Sequence, residues 1–113
     1  MHEMSLAESM LDIVESTARK HHAQRVTSVQ FELGALSHAD REALAFAFDV
    51  VARGSIAEGA RFEVIEVPGT AWCMLCSKTV GLAKRGDACP ECGHYQLTVT
   101  QGEAMRIASI EII

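Results

Sequence analysis

The feature that most constrains this sequence is the spacing of its cysteines. All four lie between residues 72 and 94 and form two C-x2-C pairs separated by twelve residues, Cys73/Cys76 and Cys89/Cys92. Two thiolates three positions apart, each followed by a turn, can converge on one ion. Two such pairs that face each other form the tetrahedral sulfur site that Zn2+ prefers. The spacing therefore predicts a structural zinc site made of two rubredoxin-like knuckles.

Three other uses of the cysteines have to be compared with zinc. Disulfides need an oxidising compartment, and the first residues lack the apolar segment of a secretion signal. A redox C-x2-C motif normally opens a helix after a strand, whereas both pairs here lie in turns rich in glycine and proline. Tetrahedral sulfur can also hold iron, so iron stays open at this point, although zinc matches the pattern better.

Length and charge restrict the class of protein. A chain of 113 residues with 49% hydrophobic content predicts one domain, or one domain that carries a small inserted module. No apolar run approaches the length of a membrane span, and we expect a cytoplasmic protein. The net charge is −5, and residues 72–100 contain three cations, Lys78, Lys84 and Arg85. Three cations are too few for a zinc ribbon that binds nucleic acid, so no such partner is expected.

Hydrophobic periodicity predicts two helices. From Met4 to about His21, apolar residues recur every three or four positions, with charged residues on the opposite face. The sequence Ser-His-Ala-Asp at residues 37–40 resembles a capping box, in which the Ser37 hydroxyl and the Asp40 carboxylate bond the free amides of a second helix. A glycine at position 54 is a plausible end for that helix.

Alternating apolar and polar residues predict a strand at Val26–Leu33 and a strand that leaves the cysteine module near Tyr95–Val99. Two further apolar runs, Arg61–Val67 and Ala104–Ile113, predict strands in which the apolar residues change from one face to the other partway along. Two helices cannot bury their apolar stripes against a module of about thirty residues, so they must pack on the sheet. The predicted fold class is therefore α+β, a small three-stranded sheet packed by two helices with an inserted zinc-ribbon-like module.

The same reasoning predicts the domain organisation. Residues 1–70 and 101–113 form an α/β domain, and residues 71–100 form the inserted zinc-binding domain. Two short connections, near Trp72 and Thr100, join the zinc domain to the larger domain.

The N-terminus offers a second candidate metal site. A histidine at position 2 should leave the initiator Met1 in place, so the terminal amine, the His2 imidazole and the amide nitrogens of His2 and Glu3 can surround one ion. Such a nitrogen-rich, nearly planar set suits Ni2+ or Cu2+. Taken alone, however, a histidine at this position is usually a solvated terminal residue.

Four stretches carry a resemblance to a known family. They are MHEMSLAES, LGALSHADREALAFAFDVVARGSIAEGA, the WCMLC and CPECG of the cysteine pairs, and GEAMRIASIEI. Together they resemble the HypA/HybF family of nickel metallochaperones for hydrogenase maturation, in the same order and over nearly the whole chain. The resemblance implies a nickel-binding α/β domain with an inserted zinc domain. It maps the nickel site onto Met1, His2 and Glu3, and the zinc ligands onto Cys73, Cys76, Cys89 and Cys92.

The resemblance also implies partners. It implies transient Ni2+ binding, a structural Zn2+, and delivery of nickel to the large subunit precursor of a [NiFe] hydrogenase together with a GTPase of the HypB type. Some relatives also serve urease, and a homodimer stays open. Some relatives carry histidines that alter zinc coordination, but this chain has only His94 near the cysteines. We therefore predict His38 and His94 to be surface residues.

The sequence indicates a carrier and not an enzyme. It contains no phosphate-binding GxxxxGK[ST] loop and no evident catalytic set, so any nucleotide step belongs to a partner. The competing hypothesis is a zinc-ribbon scaffold that mediates protein contacts without a nickel site of its own.

Overall fold

Two α-helices and six β-strands make up the chain in a computed structural model, which describes residues 2–113 and, of His2, the backbone. The strands form two three-stranded sheets, with orders β2-β1-β6 and β4-β3-β5. The predicted α+β class is confirmed. The elements in chain order are α1 His2–Lys20, β1 Val26–Gly34, α2 Arg41–Ala52, β2 Arg61–Val67, β3 Thr70–Cys73, β4 Lys78–Gly81, β5 Leu97–Gln101 and β6 Met105–Ile112.

The segments group into two compact units. The first contains the chain up to Phe31, Ala39–Ile65 and Arg106–Ile113, and the second contains Glu32–His38 and Glu66–Met105. Packing alone does not show which segments fold independently. The division into domains 1–70 with 101–113 and 71–100 therefore stays a prediction.

The first unit has a core built from both helices. The two helices contact each other, and α2 also packs on the sheet, because Phe48 stacks on Phe62 of β2 with ring centroids 5.0 Å apart. Phe62 in turn stacks on Phe31 of β1 at 5.8 Å. Aromatic pairs at these distances add to the burial of apolar area. The buried residues of the helices repeat at the predicted spacing, namely Ala7, Met10, Val14, Ala18, Leu44, Ala47, Phe48 and Ala52.

The start of α2 differs from the prediction. The helix begins at Arg41 and its N-cap is Asp40, whose carboxylate accepts hydrogen bonds from the amides of Glu42 at 2.9 Å and Ala43 at 3.0 Å. The Ser37 hydroxyl oxygen is buried and has no hydrogen-bond partner among residues 2–113. The predicted capping box is therefore wrong, because one carboxylate caps the helix alone and Ser37 precedes that cap by three residues.

Backbone segments of the second unit approach each other closely at three glycines. A Cβ atom on Gly34 would lie 2.1 Å from the carbonyl oxygen of Gly102, and one on Gly102 would lie 2.6 Å from the Cα of Gly69. Gly102 also has a φ of 104°, a conformation that side chains disfavour. Hydrogen bonds join these segments, from the Gly34 amide to Ala104 at 2.9 Å and from the Leu36 amide to Gly102 at 2.8 Å. Glycine is thus required at the end of β1 and at Gly102, where the chain leaves the cysteine region.

Among the residues that the structure describes, no helix combines the length and the apolar character that crossing a bilayer needs.

The two roles assigned at the start of α2 can be separated by mutation. Replacing Asp40 by Ala should lower the free energy of unfolding by about 1 kcal/mol, because two helix amides lose their acceptor. Ser37→Ala, the matched control, should leave that free energy within about 0.5 kcal/mol of the wild type. Urea unfolding followed by helical circular dichroism measures both. Equal losses of unfolding free energy in the two variants would mean that Ser37 also caps the helix, as the capping box predicts.

Candidate metal centre

The first cysteine pair lies in the hairpin of β3 and β4. These strands are antiparallel, with Ala71 opposite Val80 and Cys73 opposite Lys78. The turn between them is closed by a hydrogen bond of 2.8 Å from the Ser77 amide to the Cys73 carbonyl. Ser77 has a φ of 53°, so the chain reverses sharply after Cys76. The hairpin thereby directs both sulfur atoms of this pair to one place.

The second cysteine pair lies in a loop that backbone hydrogen bonds hold. The Cys89 amide donates to the carbonyl of His94 at 2.8 Å, and the Gly93 amide donates to the carbonyl of Cys89 at 2.9 Å. Gly93 has a φ of 76°, which a glycine adopts without strain. These bonds form a compact turn around Cys92, equivalent to the turn of the first pair.

The four sulfur atoms converge. They all lie within 4.8 Å of one another, with 3.7 Å between Cys73 and Cys92 and 3.9 Å between Cys76 and Cys89. A disulfide needs about 2.05 Å, and all four cysteines are free. Tetrahedral Zn–S bonds of about 2.3 Å place the sulfur atoms about 3.8 Å apart. The donor set therefore fits one tetrahedral metal ion such as zinc.

Backbone amides and one ion pair surround the sulfur atoms. The amide of Cys76 donates to the Cys73 sulfur, and the amide of Glu91 donates to the Cys89 sulfur, each at 3.4 Å. Lys78, next to the first pair, forms an ion pair of 2.6 Å with Glu91, which lies inside the second pair. Amide donors and a nearby ammonium both favour thiolates. The ion pair also links the two knuckles directly, a contact that the sequence analysis missed although oppositely charged residues flank the cysteines.

The thiols of the metal-free cluster differ in acidity. Hydrogen bonding to Cys92, together with burial, raises the pKa of Cys76 to about 12. Backbone N–H groups of Cys92 and Glu91 lower the pKa of Cys89 to about 7. The backbone N–H of His94 favours the Cys92 thiolate, but burial and hydrogen bonding to Cys73 outweigh it and raise that pKa. Cys89 is thus partly ionised near neutral pH and can bind a metal ion directly, whereas Cys76 and Cys92 must release protons when the ion binds.

The other residues that the sequence analysis singled out are not members of the four-sulfur group or lie outside the described residues. Met1 and the side chain of His2 lie outside the described residues, and Glu3 is half-buried in the first turn of α1. His38 and His94 are exposed, and the Nδ1 of His94 lies 3.1 Å from the Cys92 carbonyl oxygen. Among the described residues, the group that could hold a metal consists of the four cysteines.

Comparisons with known proteins agree with this arrangement. A family model described as HypA, a hydrogenase/urease nickel incorporation metallochaperone, matches residues 1–112. The hydrogenase maturation factor HypA of Rhodopseudomonas palustris strain BisB5 is 54% identical over 112 residues, which cover 99% of each chain. The HypA of Albidiferax ferrireducens is 52% identical over the same length and coverage.

Two solved structures are similar over the whole chain. The solution structure of the Ni metallochaperone HypA from Helicobacter pylori has a TM-score of 0.71 and 25% identity, with 100% of this chain and 98% of that chain covered. A second HypA solution structure has a TM-score of 0.74, 25% identity, and coverage of 100% and 97%. An α+β fold with a tetrahedral four-sulfur site thus defines a small metal-binding protein. This chain belongs to the HypA family of nickel-incorporation metallochaperones in hydrogenase maturation.

The acidity of the cysteines predicts how metal binding depends on pH. Ligand thiols must be ionised, so at pH 7 we expect Zn2+ to release at least two protons, one each from Cys76 and Cys92. Cys89, with a pKa of about 7, should add roughly half a proton at that pH. Zinc affinity should therefore rise with pH, and the number of released protons should fall as Cys89 ionises.

Calorimetric titration of the metal-free protein with zinc, in buffers of different ionisation enthalpy, measures the proton release. Zinc-loaded protein titrated in the same way is the control and should release no protons. A release of less than one proton at pH 7 would mean that the thiolates already exist in the metal-free cluster.

Proposed function

We propose that this protein is a nickel carrier that binds Ni2+ through its N-terminal residues Met1, His2 and Glu3. It delivers the ion to the large subunit precursor of a [NiFe] hydrogenase, in cooperation with a HypB-type GTPase, and catalyses no reaction itself. The observation that carries the proposal is membership of a nickel-incorporation family over residues 1–112, the N-terminus included. A protein named as a Ni metallochaperone is also among the similar structures.

The start of α1 supports an N-terminal site. The helix begins at His2, so the amides of His2 and Glu3 belong to the first turn, where amides have no intrahelical acceptor. Their use as ligands removes no helix hydrogen bond. The carboxylate of Glu3 in the first turn also offsets the repulsion between a cation and the positive end of the helix.

In the same proposal, Cys73, Cys76, Cys89 and Cys92 hold one structural Zn2+ that stays bound while nickel is exchanged. The sulfur spacing near 3.8 Å supports zinc, and the convergence of four thiolates leaves no open coordination position for a substrate. The ion would supply the fixed point around which the two knuckles fold. We place the protein in the cytoplasm, where thiols stay reduced.

The zinc assignment predicts one zinc per chain. Elemental analysis of untagged protein should find about one zinc, and Cys76→Ser should lower zinc content and disorder residues 73–92. The helical circular dichroism should largely survive, because the helices bury their apolar residues in the core of the first unit. Met74→Ser, which changes an exposed residue of the same turn, is the control and should retain zinc. Iron in place of zinc, or an ordered ribbon in the Cys76→Ser protein, would contradict the assignment.

The nickel assignment predicts a response that an ordinary histidine site does not give. Two residues added before Met1, with His2 unchanged, should weaken Ni2+ binding about as much as His2→Ala. The addition turns the amine into a weakly donating peptide amide and moves the free amine away from the imidazole. Losing one or two donors should reduce affinity by orders of magnitude, with each factor of ten equal to about 1.4 kcal/mol.

Calorimetry on zinc-loaded native, extended and His2→Ala proteins tests this assignment. His21→Ala, which removes an exposed histidine just after α1, is the matched control and should bind nickel normally. Full affinity in the extended protein would remove the amine from the site and leave a side-chain site. Absence of nickel binding in the native protein would favour the zinc-ribbon scaffold.

A further inference from the structure

The second unit contains a groove whose walls are held by its own hydrogen bonds. The groove has a volume of about 600 Å³, within the range of about 300–1,000 Å³ for pockets that enclose ligands. The Leu82 amide donates to the Gly69 carbonyl at 2.9 Å, and the side-chain amide of Gln101 donates to the Pro68 carbonyl at 3.0 Å. Most of the lining is small or apolar and includes Ala35, Pro68, Leu82, Ala83, Ala88 and Pro90.

The groove also contains the end of an open strand edge. Strand β3 lies between β4 and β5, so the outer edge of β4 has no partner strand in the described part of the chain. The amide of Leu82 faces β3. Because successive residues of an antiparallel strand face opposite sides, the amide and carbonyl of Gly81 point to the open edge.

Gly81 leaves room for a second backbone. It lines the groove and is exposed, and a Cβ atom on it would meet nothing within 4 Å. A glycine inside a strand often marks a place where another backbone approaches closely. An extended peptide can therefore reach the free amide and carbonyl of β4 from within the groove.

The charged residues of the groove are both acids. Glu66 and Asp87 line it, and no lysine or arginine does. Both are exposed, and neither carboxylate forms an ion pair or a hydrogen bond with the residues that the structure describes. In contrast, Glu91 and Glu103 of the same unit are each paired with a cation. The groove thus combines an apolar surface and an open strand edge with uncompensated negative charge.

We propose that this groove binds an extended, cationic segment of a partner protein, in which lysine or arginine residues accompany apolar ones. The segment adds a strand to β4 through main-chain hydrogen bonds to Gly81, a recurring mode of peptide recognition. Its apolar side chains fill the groove, and its cations pair with Glu66 and Asp87, which repel an acidic segment. All residues of the site belong to the second unit, so the proposal does not depend on nickel binding at the N-terminus.

Nuclear magnetic resonance of the zinc-loaded full chain tests the groove. The probe is a seven-residue peptide in which valine alternates with lysine, with both ends blocked. It should shift the amide resonances of Gly81–Ala83, Asp87 and Ala88 in a saturable way. The same peptide with glutamine in place of lysine should bind about fivefold more weakly, because two exposed ion pairs are lost. The peptide with glutamate in place of lysine should bind more weakly still.

Two double variants test the charge. Glu66→Gln with Asp87→Asn should weaken binding of the lysine peptide about fivefold and leave binding of the glutamine peptide unchanged. Glu8→Gln with Asp12→Asn removes the same number of negative charges from exposed residues of α1 and is the control. It should change neither affinity. Equal effects of the two double variants on the lysine peptide would mean that net charge alone attracts the peptide, and the proposal would be wrong.

The strand contact is tested by removing one donor. Gly81→Pro removes the outward amide but no hydrogen bond to β3, and it should weaken both the lysine and the glutamine peptide about fivefold. Gly81→Ala keeps the amide and should bind both peptides normally. A lysine peptide that is N-methylated along its backbone tests the same contact in the unchanged protein and should also bind more weakly. Non-saturable shifts, or an N-methylated peptide that binds as tightly as its parent, would overturn the proposal.

Discussion

The convergence of four sulfur atoms is the constraint on which the second unit depends. Cys73 and Cys89 are themselves core residues, and with Val80 they form one of its hydrophobic clusters. The other cluster is formed by Leu36, Ala71 and Leu82. Cores this small do not normally offset the entropy of ordering a chain, so small modules rely on metals or disulfides. We therefore expect metal binding and folding of this unit to be coupled, with the ion in the place of a larger hydrophobic core.

Hydrogen-bond donors and one ammonium group offset the negative charge that four thiolates bring to such a metal site. Four thiolates around a divalent cation leave two negative charges, which burial of Cys73 and Cys89 would make unfavourable without donors. The amides of Cys76 and Glu91 donate hydrogen bonds to sulfur atoms. A backbone amide keeps its partial positive charge at every pH, whereas an ionisable side chain can lose its charge. The ammonium of Lys78 adds a positive charge, and its pKa is raised, chiefly by its hydrogen bond to Glu91. Because both side chains of that ion pair are about half exposed, solvent screens the pair and it contributes little to stability.

Sequence patterns predicted the long elements well, because their information is repeated. Helix α1 and strand β1 were predicted within two residues of their bounds, since each contains several apolar residues at one period. The cysteine spacing likewise predicted a cluster that the structure forms, because two C-x2-C pairs leave few other arrangements.

What the sequence did not reveal depends on strands too short to show a period and on single contacts between residues. Strands β3 and β4 have four residues each, too few to show a period. The cap of α2 was assigned partly to Ser37, since a motif cannot tell which of two oxygens faces the helix. The predicted strands do not include Gly34 and Gly102, and no local pattern indicated that the backbones of these two glycines lie in contact. The partners in these contacts lie up to about seventy residues apart, and no local pattern specifies them.

The two metal sites of the proposal differ in the way that a carrier requires. At the cysteine cluster each ligand is fixed by its own backbone turn, and two of the four are buried, so an incoming ligand has little access to the metal. The proposed nickel ligands are consecutive residues at a chain end, and a partner can replace them one at a time without opening a core. Their nitrogen donors also suit Ni2+, whereas four thiolates suit zinc. In this proposal, retention and release follow from where the ligands lie in the chain, which would let one small protein hold one metal permanently while it transfers another.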